Sequence, residues 1–285
     1  MGGSPGFKGE WANDGDALVV DLLTNQYGIH IRTAANAISD GEHIWVSPLG
    51  DDTYGIGTIL SPVASLTKAM TLVTATRKTI IMLPGEYDEA DAVTWPDTDD
   101  VVLMGIGNVV ISSTDSTTHV IGIDPAAASG TWTATLKNIT LDHADGQVGL
   151  QVDNATVGKR INLILEDFAT NADTETDASI DINRSGEATD AIRVYADGHG
   201  QQIEGLVTAI TESTDDRFRF KGYRMTGGMT VVGAVACEVT LISVGMLTSG
   251  LTVDGANKLT NIHCWYETDA NPNVYTQFAD AYATY

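Results

Sequence analysis

Short apolar segments return along this chain at a nearly constant interval, and that repetition limits the folds open to it. One series runs Ile139–Leu141, Leu163–Leu165, Ile192–Val194, Phe218–Phe220, Val239–Leu241 and Ile262–Cys264, with starts 24, 29, 26, 21 and 23 residues apart. A second runs Leu150–Val152, Ile180–Ile182, Leu206–Thr208, Thr230–Val232 and Leu251–Val253, with starts 30, 26, 24 and 21 apart. Two interleaved series with one shared period are the product of a solenoid, in which each coil buries its inward residues on the coils above and below. Turn residues fall between the series, at Asp145-Gly146, Asn154, Ser185-Gly186, Asp197-Gly198, Gly227-Gly228 and Asp254-Gly255. Strand alternation puts Ile192 and Val194 inside with Arg193 outside, and makes Phe218 and Phe220 an internal aromatic stack with Arg219 outside. The alternative is an ordinary β-sandwich, but intervals of 21–30 residues are too long for simple hairpins.

The 285 residues include 38 acidic and 15 basic side chains, a formal net charge of −23. With 43% hydrophobic residues, that acidity decorates a folded body and is not the mark of a disordered chain. The longest apolar runs, Val101–Met104 and Thr230–Ala236, fall far short of a membrane span, so no membrane insertion is expected. The charge excludes a large basic footprint, so no nucleic-acid partner is expected either. Asp outnumbers Glu by 27 to 11, and only 7 Lys and 8 Arg are present. Scarce Lys with abundant Asp resembles proteins of high-salt environments, where salt screens the repulsion. The opening MGGSPGFKGE has no apolar core of a secretory signal. Cys237 and Cys264 read as small buried hydrophobes, with their pairing left open, and no CxxC spacing suggests zinc.

Three segments follow. Residues 1–40 read as an arm or small hairpin, with Ala17–Leu23 and Tyr27–Thr33 around Thr24-Asn25-Gln26, and Trp11 and Tyr27 as anchors. Residues 41–269 hold the coil. Residues 270–285 carry Tyr275, Phe278, Tyr282 and Tyr285 at helical spacing, an aromatic stripe suited to capping the coil or packing on a neighbouring subunit. Trp11, Tyr27 and these four aromatics are the candidate partner contacts.

The start of the coil is the most informative stretch. His43–Pro48 is strand-like, Leu49–Gly57 is a Gly/Asp-rich loop, and Pro62–Met70 carries Leu66, Ala69, Met70 and, just beyond, Val73 at helical spacing. Thr79–Leu83 is a buried-strand run, and Pro84-Gly85-Glu86-Tyr87 reads as a turn. The order IWVSPLGDDTYGIGTILSPVASLTKAM…TIIMLPGEY resembles the opening of pectin-lyase-like right-handed parallel β-helix proteins. The resemblance spans about a sixth of the chain. It implies an all-β fold, a single right-handed parallel β-helix with a short N-terminal capping helix. It implies little about activity, since that superfamily holds lyases, hydrolases and non-catalytic viral proteins.

Catalytic signatures of such enzymes are sparse. Lyases of this build need a carboxylate-bound Ca²⁺ and a basic residue near the abstracted proton. Outward basic residues are few (Arg193, Arg219, Lys221, Arg224), and Arg217, Arg219, Lys221 and Arg224 cluster in sequence, suited to an anionic ligand or to balancing nearby acids. Hydrolases of this build pair carboxylates on adjacent strands. Of their motifs only Gly198-His199-Gly200 is present, and His199 reads as a turn residue. Asp51 and Asp52, and Asp173, Glu175 and Asp177, are weak Ca²⁺ candidates with oxygen ligands, lacking the spacing of an EF-hand. Asp97, Asp99 and Asp100 form a similar acidic loop. No catalytic residue is assigned and no cofactor beyond Ca²⁺ is suggested.

Coils of this kind without catalytic motifs resemble virion components of tailed viruses: head decoration or turret subunits and tail-fibre or tailspike modules, commonly homotrimers. The expectation is a non-catalytic protein exposed on the virion, anchored through its N-terminal arm to capsid or tail proteins. A host surface glycan is a further expected partner. The alternative is a carbohydrate-active enzyme, a polysaccharide lyase or glycoside hydrolase acting on a surface glycan. An adhesin-like carbohydrate-binding module of a cell surface is a third reading.

Overall fold

From the second strand onward every third strand joins the same sheet, so each turn of the backbone lays one strand on each of three parallel sheets. The computed structural model describes residues 42–114, 118–125, 130–153, 159–183, 191–211, 213–233, 237–246, 251–253, 258–262 and 264–266. The arm and its Trp11 and Tyr27, and the tail with Tyr275, Phe278, Tyr282 and Tyr285, lie outside the described residues.

Among the described residues the three sheets hold nine, seven and eight strands. The first has nine: β1 (His43–Val46), β2 (Thr79–Met82), β5 (Val101–Gly105), β8 (Gly130–Lys137), β11 (Lys159–Glu166), β14 (Ala191–Asp197), β17 (Arg217–Lys221), β20 (Glu238–Ile242) and β23 (Lys258–Ile262). The second has seven: β4 (Val93–Thr94), β7 (His119–Ile123), β10 (Val148–Asp153), β13 (Ala178–Asn183), β16 (Leu206–Thr211), β19 (Met229–Gly233) and β22 (Leu251–Val253). The third has eight: β3 (Gly85–Glu89), β6 (Val109–Ser113), β9 (Thr140–His143), β12 (Ala169–Ala172), β15 (Gln202–Ile203), β18 (Arg224–Met225), β21 (Gly245–Met246) and β24 (Trp265–Tyr266). The chain is a parallel β-helix, and its only helix among the described residues is α1 (Leu66–Thr71).

The core is the column between the three sheets. Leu163, Val194, Phe218 and Val239 stack in register on successive coils and are buried. Leu150, Ile180, Val207, Met229 and Leu251 do the same on the second sheet. The predicted inward and outward faces hold: Ile192, Val194, Phe218 and Phe220 are buried, while Arg193 is half-buried and Arg219 exposed. The aromatic contact differs in detail. Phe220 meets the Tyr223 ring edge to face at 6.1 Å, so its aromatic partner comes from the next corner and not from Phe218 on its own strand.

Three assignments change. Ile139–Leu141 does not begin the first series: Thr140 and Leu141 belong to β9 of the third sheet, and Ala134 on β8 is the residue in register with Leu163. Ile262–Cys264 shifts too, because Leu259 of β23 is the partner of Val239. The PGEY segment is a turn only at its start, since Gly85–Glu89 is a strand with Tyr87 buried.

The missed third sheet is reached through a tight corner. After β8, β11, β17 and β20 comes one residue in the left-handed region, then a buried residue: Asn138-Ile139, Asp167-Phe168, Gly222-Tyr223 and Ser243-Val244. Asn and Asp tolerate that conformation best after Gly. Asn138 also donates from Nδ2 to the carbonyls of Gly105 and Gly107 one coil earlier, at 2.9 and 3.0 Å.

α1 lies against β1, β3 and β4 and buries Leu66, Ala69 and Met70. Ser65 caps it, its Oγ accepting from Lys68 N at 3.1 Å. The buried Glu89 carboxylate accepts from Leu66 N and Thr67 N at 2.6 and 3.1 Å, satisfying two orphan donors of the first turn. Arg77 straps the preceding loop, donating from Nη2 to the carbonyls of His43 and Gly57, both at 2.9 Å. No helix among the described residues is long and apolar enough to cross a membrane.

Candidate functional site

On the outer face of the first sheet, register sets the outward side chains in columns. One column is Asn162, Arg193, Arg217, Glu238; the middle one is Ile164, Tyr195, Arg219, Thr240; the third is Lys137, Glu166, Asp197, Lys221. Neighbours in a column lie about 4.8 Å apart, and adjacent columns about 6.6 Å, from strand geometry alone. Arg193, Tyr195, Arg217 and Arg219 therefore stand at the corners of one small rectangle on β14 and β17.

A hollow of about 330 Å³ opens there, lined by those four residues with Phe218, Glu238 and Thr240. A second, of about 210 Å³, lies on the other side of Tyr195 and Arg219, lined in part by Glu166, Asp197 and Lys221. Tyr195 and Arg219 border both, and Tyr195 is 41% exposed.

The charges are ordered along the columns. Lys137 meets Glu166 at 2.6 Å, Lys221 meets Asp197 at 2.6 Å, and Arg217 Nε meets Glu238 at 3.2 Å. Arg217 Nη1 also donates to the carbonyls of Thr214 and Asp216, at 2.7 and 2.8 Å. The Lys221 ammonium, bonded to Asp197, holds that carboxyl below its ordinary range.

The corner beside the second hollow contains Gly198-His199-Gly200. His199 is a turn residue, as its sequence suggested, with φ of 48°. Its Nδ1 pairs with Asp167 at 2.9 Å and its Nε2 with Asp197 at 3.5 Å, so it bridges carboxylates of two coils. Beneath it, burial pushes the Tyr223 phenol well up, and its hydroxyl has no hydrogen-bond partner among the described residues.

The sequence-based cation cluster is partly reassembled. Arg217, Arg219 and Lys221 share the face and Arg193 joins them, whereas Arg224 sits on β18 of the third sheet. Tyr195, Glu238 and Thr240 are not singled out by the sequence, and Asp197, expected as a turn residue, ends β14. Their signal is alternation at the common period: Arg-x-Tyr-x-Asp, Arg-x-Arg-x-Lys and Glu-x-Thr on consecutive strands.

The candidate Ca²⁺ ligands are placed elsewhere. Asp51 Oδ1 accepts from Thr53 N and Tyr54 N, at 2.7 and 3.1 Å. Asp52 Oδ1 accepts from Ala64 N at 2.7 Å and its Oδ2 from Ser65 Oγ at 2.5 Å, tying the loop to the start of α1. Asp173, Glu175 and Asp177 lie in the turn between β12 and β13, where Asp177 Oδ2 accepts from Gly146 N at 2.9 Å. Among the described residues no three His, Cys, Asp or Glu side chains group as metal ligands. Asp99 Oδ1 likewise accepts from Thr133 N, at 2.7 Å. Cys237 and Cys264 are not joined in a disulfide, and burial pushes the Cys237 thiol up to about 12.

No family model matches the chain, and no curated protein matches it in sequence.

Proposed function

We propose that this chain is a non-catalytic structural protein exposed on a viral particle, a homotrimer whose residues 1–40 attach it to capsid or tail proteins. The observation that carries the reading is the use made of the corner carboxylates. Asp51, Asp52, Glu89, Asp99, Asp177 and Asp216 each accept backbone N–H groups and so lock turns and the helix start. With the stacked core, this favours a rigid rod that withstands exposure. The pectin-lyase-like start of the coil supports the same reading by analogy of fold.

The test is the mass of the full chain by light scattering, in low and in molar salt. A trimer is expected. A monomer in both conditions removes the reading. It then favours the alternative, a polysaccharide lyase or glycoside hydrolase, for which Asp167, Asp197 and His199 beside the second hollow are the groups to mutate in glycan-cleavage screens.

A further inference from the structure

The outer face of the first sheet contradicts the rest of the chain in charge. In a chain of net charge −23, Arg193, Arg217, Arg219 and Lys221 place four of 15 basic residues on two adjacent strands. Only part of that charge is neutralised locally. Lys221 is paired with Asp197 and Arg217 with Glu238, but Arg193 and Arg219 have neither ion pair nor hydrogen bond to a described residue. Arg193 Nε is even withdrawn from water without a partner. A half-buried guanidinium without an acceptor is left short of hydrogen bonds, which an anion in the hollow can supply to its other N–H groups.

We infer that the rectangle of Arg193, Tyr195, Arg217 and Arg219 is a binding site for a sulfate ester carried on a polysaccharide. The inference goes beyond the structural reading above and does not depend on it. Arg193, Arg217 and Arg219 line the same hollow, with Arg217 held by Glu238 and by two backbone carbonyls, so three guanidiniums stand around one depression. A tetrahedral ester offers three terminal oxygens, one to each arginine, whereas a carboxylate offers two in one plane and is satisfied by a single bidentate arginine. The Glu238 carboxylate holds Arg217 in place and also limits the charge the hollow accepts. A sulfate ester brings one negative charge. A phosphate ester brings about 1.5 to 2, which Glu238, Asp197 and the acidic body would oppose.

The neighbouring hollow fits the sugar. Tyr195, shared by both, presents an exposed ring for the apolar face of a pyranose, and Glu166 and Asp197 carry oxygen acceptors for hydroxyl groups. Both hollows are open depressions, so a single sugar binds weakly. A polymer engaging both, and several chains of an assembly, gains through effective concentration.

The experiment uses the full chain with dextran sulfate, carboxymethyl dextran, plain dextran and sodium sulfate as probes, by titration calorimetry at fixed moderate salt. Dextran sulfate is expected to bind, with carboxymethyl dextran at least tenfold weaker and plain dextran weaker still. Arg193→Gln and Arg219→Ala are each expected to weaken dextran sulfate at least tenfold. Arg224→Ala, which removes the same charge from the third sheet, is expected to change it less than twofold. Circular dichroism verifies that each variant is folded. Arg219 is exposed, so its variant remains informative if Arg193→Gln fails to fold. The inference is overturned by absent binding, by equal affinity for carboxymethyl dextran, or by an equal loss in Arg224→Ala, which would mean diffuse attraction. Displacement by sodium sulfate at equal sulfate concentration overturns it in favour of a free-anion site. Equally tight binding of single-stranded DNA with the same arginine dependence overturns it in favour of a nucleic-acid site.

Discussion

Replacing Phe220 by Ala tests the stacked core at a point where the cost can be reasoned from contacts. The ring is 0% exposed, sits over the coils of β14 and β20, and meets Tyr223 at 6.1 Å with planes 69° apart. Truncating a buried Phe costs about 3–5 kcal/mol, including a cavity that neighbours fill incompletely. Of that, the edge-to-face pair accounts for about 0.5–1.5 kcal/mol. Phe220→Asp adds the burial of an unpaired charge, and is expected to prevent the coil around β17 from forming at neutral pH. Because each coil touches only its neighbours, the damage stays local. Hydrogen exchange in Phe220→Ala is therefore expected to lose protection first in strands β17 to β22, while β5 to β11 keep theirs. Thermal melts by circular dichroism should show a low-temperature shoulder absent from the parent. A melt of Phe220→Asp that coincides with the parent would refute the inward assignment. Uniform loss of protection along the chain would refute the nearest-neighbour reasoning.

Other expectations concern the corners and the charge. Gly198→Ala would place a Cβ 2.6 Å from the Tyr223 ring, and should cost about 1–3 kcal/mol of overpacking in denaturant titrations; an unchanged midpoint would show that the corner is looser than described. The buried His143, whose Nε2 contacts Ser179 Oγ at 2.8 Å, has its pKa lowered by burial. Unfolded, it takes up a proton as pH falls through about 6.5, which the folded state resists, so stability is retained above that pH and declines below it. His143→Gln should flatten Tm between pH 7.5 and 5.5, and an identical slope would assign the decline to other groups. Raising KCl from low to molar concentration should raise Tm by screening the net charge of −23, and a flat response would remove the argument for high-salt adaptation.

What the sequence disclosed, and what it hid, follows from strand length and corner chemistry. The second sheet was legible because β10, β13 and β22 hold buried Leu, Ile and Val at every second position, whereas Leu206–Thr208 and Thr230–Val232 lie one residue out of phase, since Val207, Met229 and Val231 are the buried residues. The third sheet was hidden, since β15, β18 and β21 are two residues long and show no alternation. Its entrance was hidden as well. Asn138, Asp167 and Ser243 make a sharp corner with a single left-handed residue, so no Gly or Pro interrupts the text there. Ile139–Leu141 consequently read as the start of a first-sheet strand. At the candidate site, the basic residues were conspicuous, but their arrangement depends on register. Arg224 is three residues from Lys221 in sequence and on another sheet, while Arg193 is distant in sequence and directly beside Arg217.

The register that orders those columns also makes the molecule a ruler. Nine strands in the first sheet are separated by eight steps of about 4.8 Å, so the described rod rises about 38 Å along its axis. The step is set by the peptide hydrogen bond and is indifferent to the side chains it carries. Deleting one whole coil would shorten the rod by a single graduation and leave the faces on either side aligned. Any group mounted on a column keeps its height to within a fraction of a side chain, and a repeating ligand is measured against marks that do not drift.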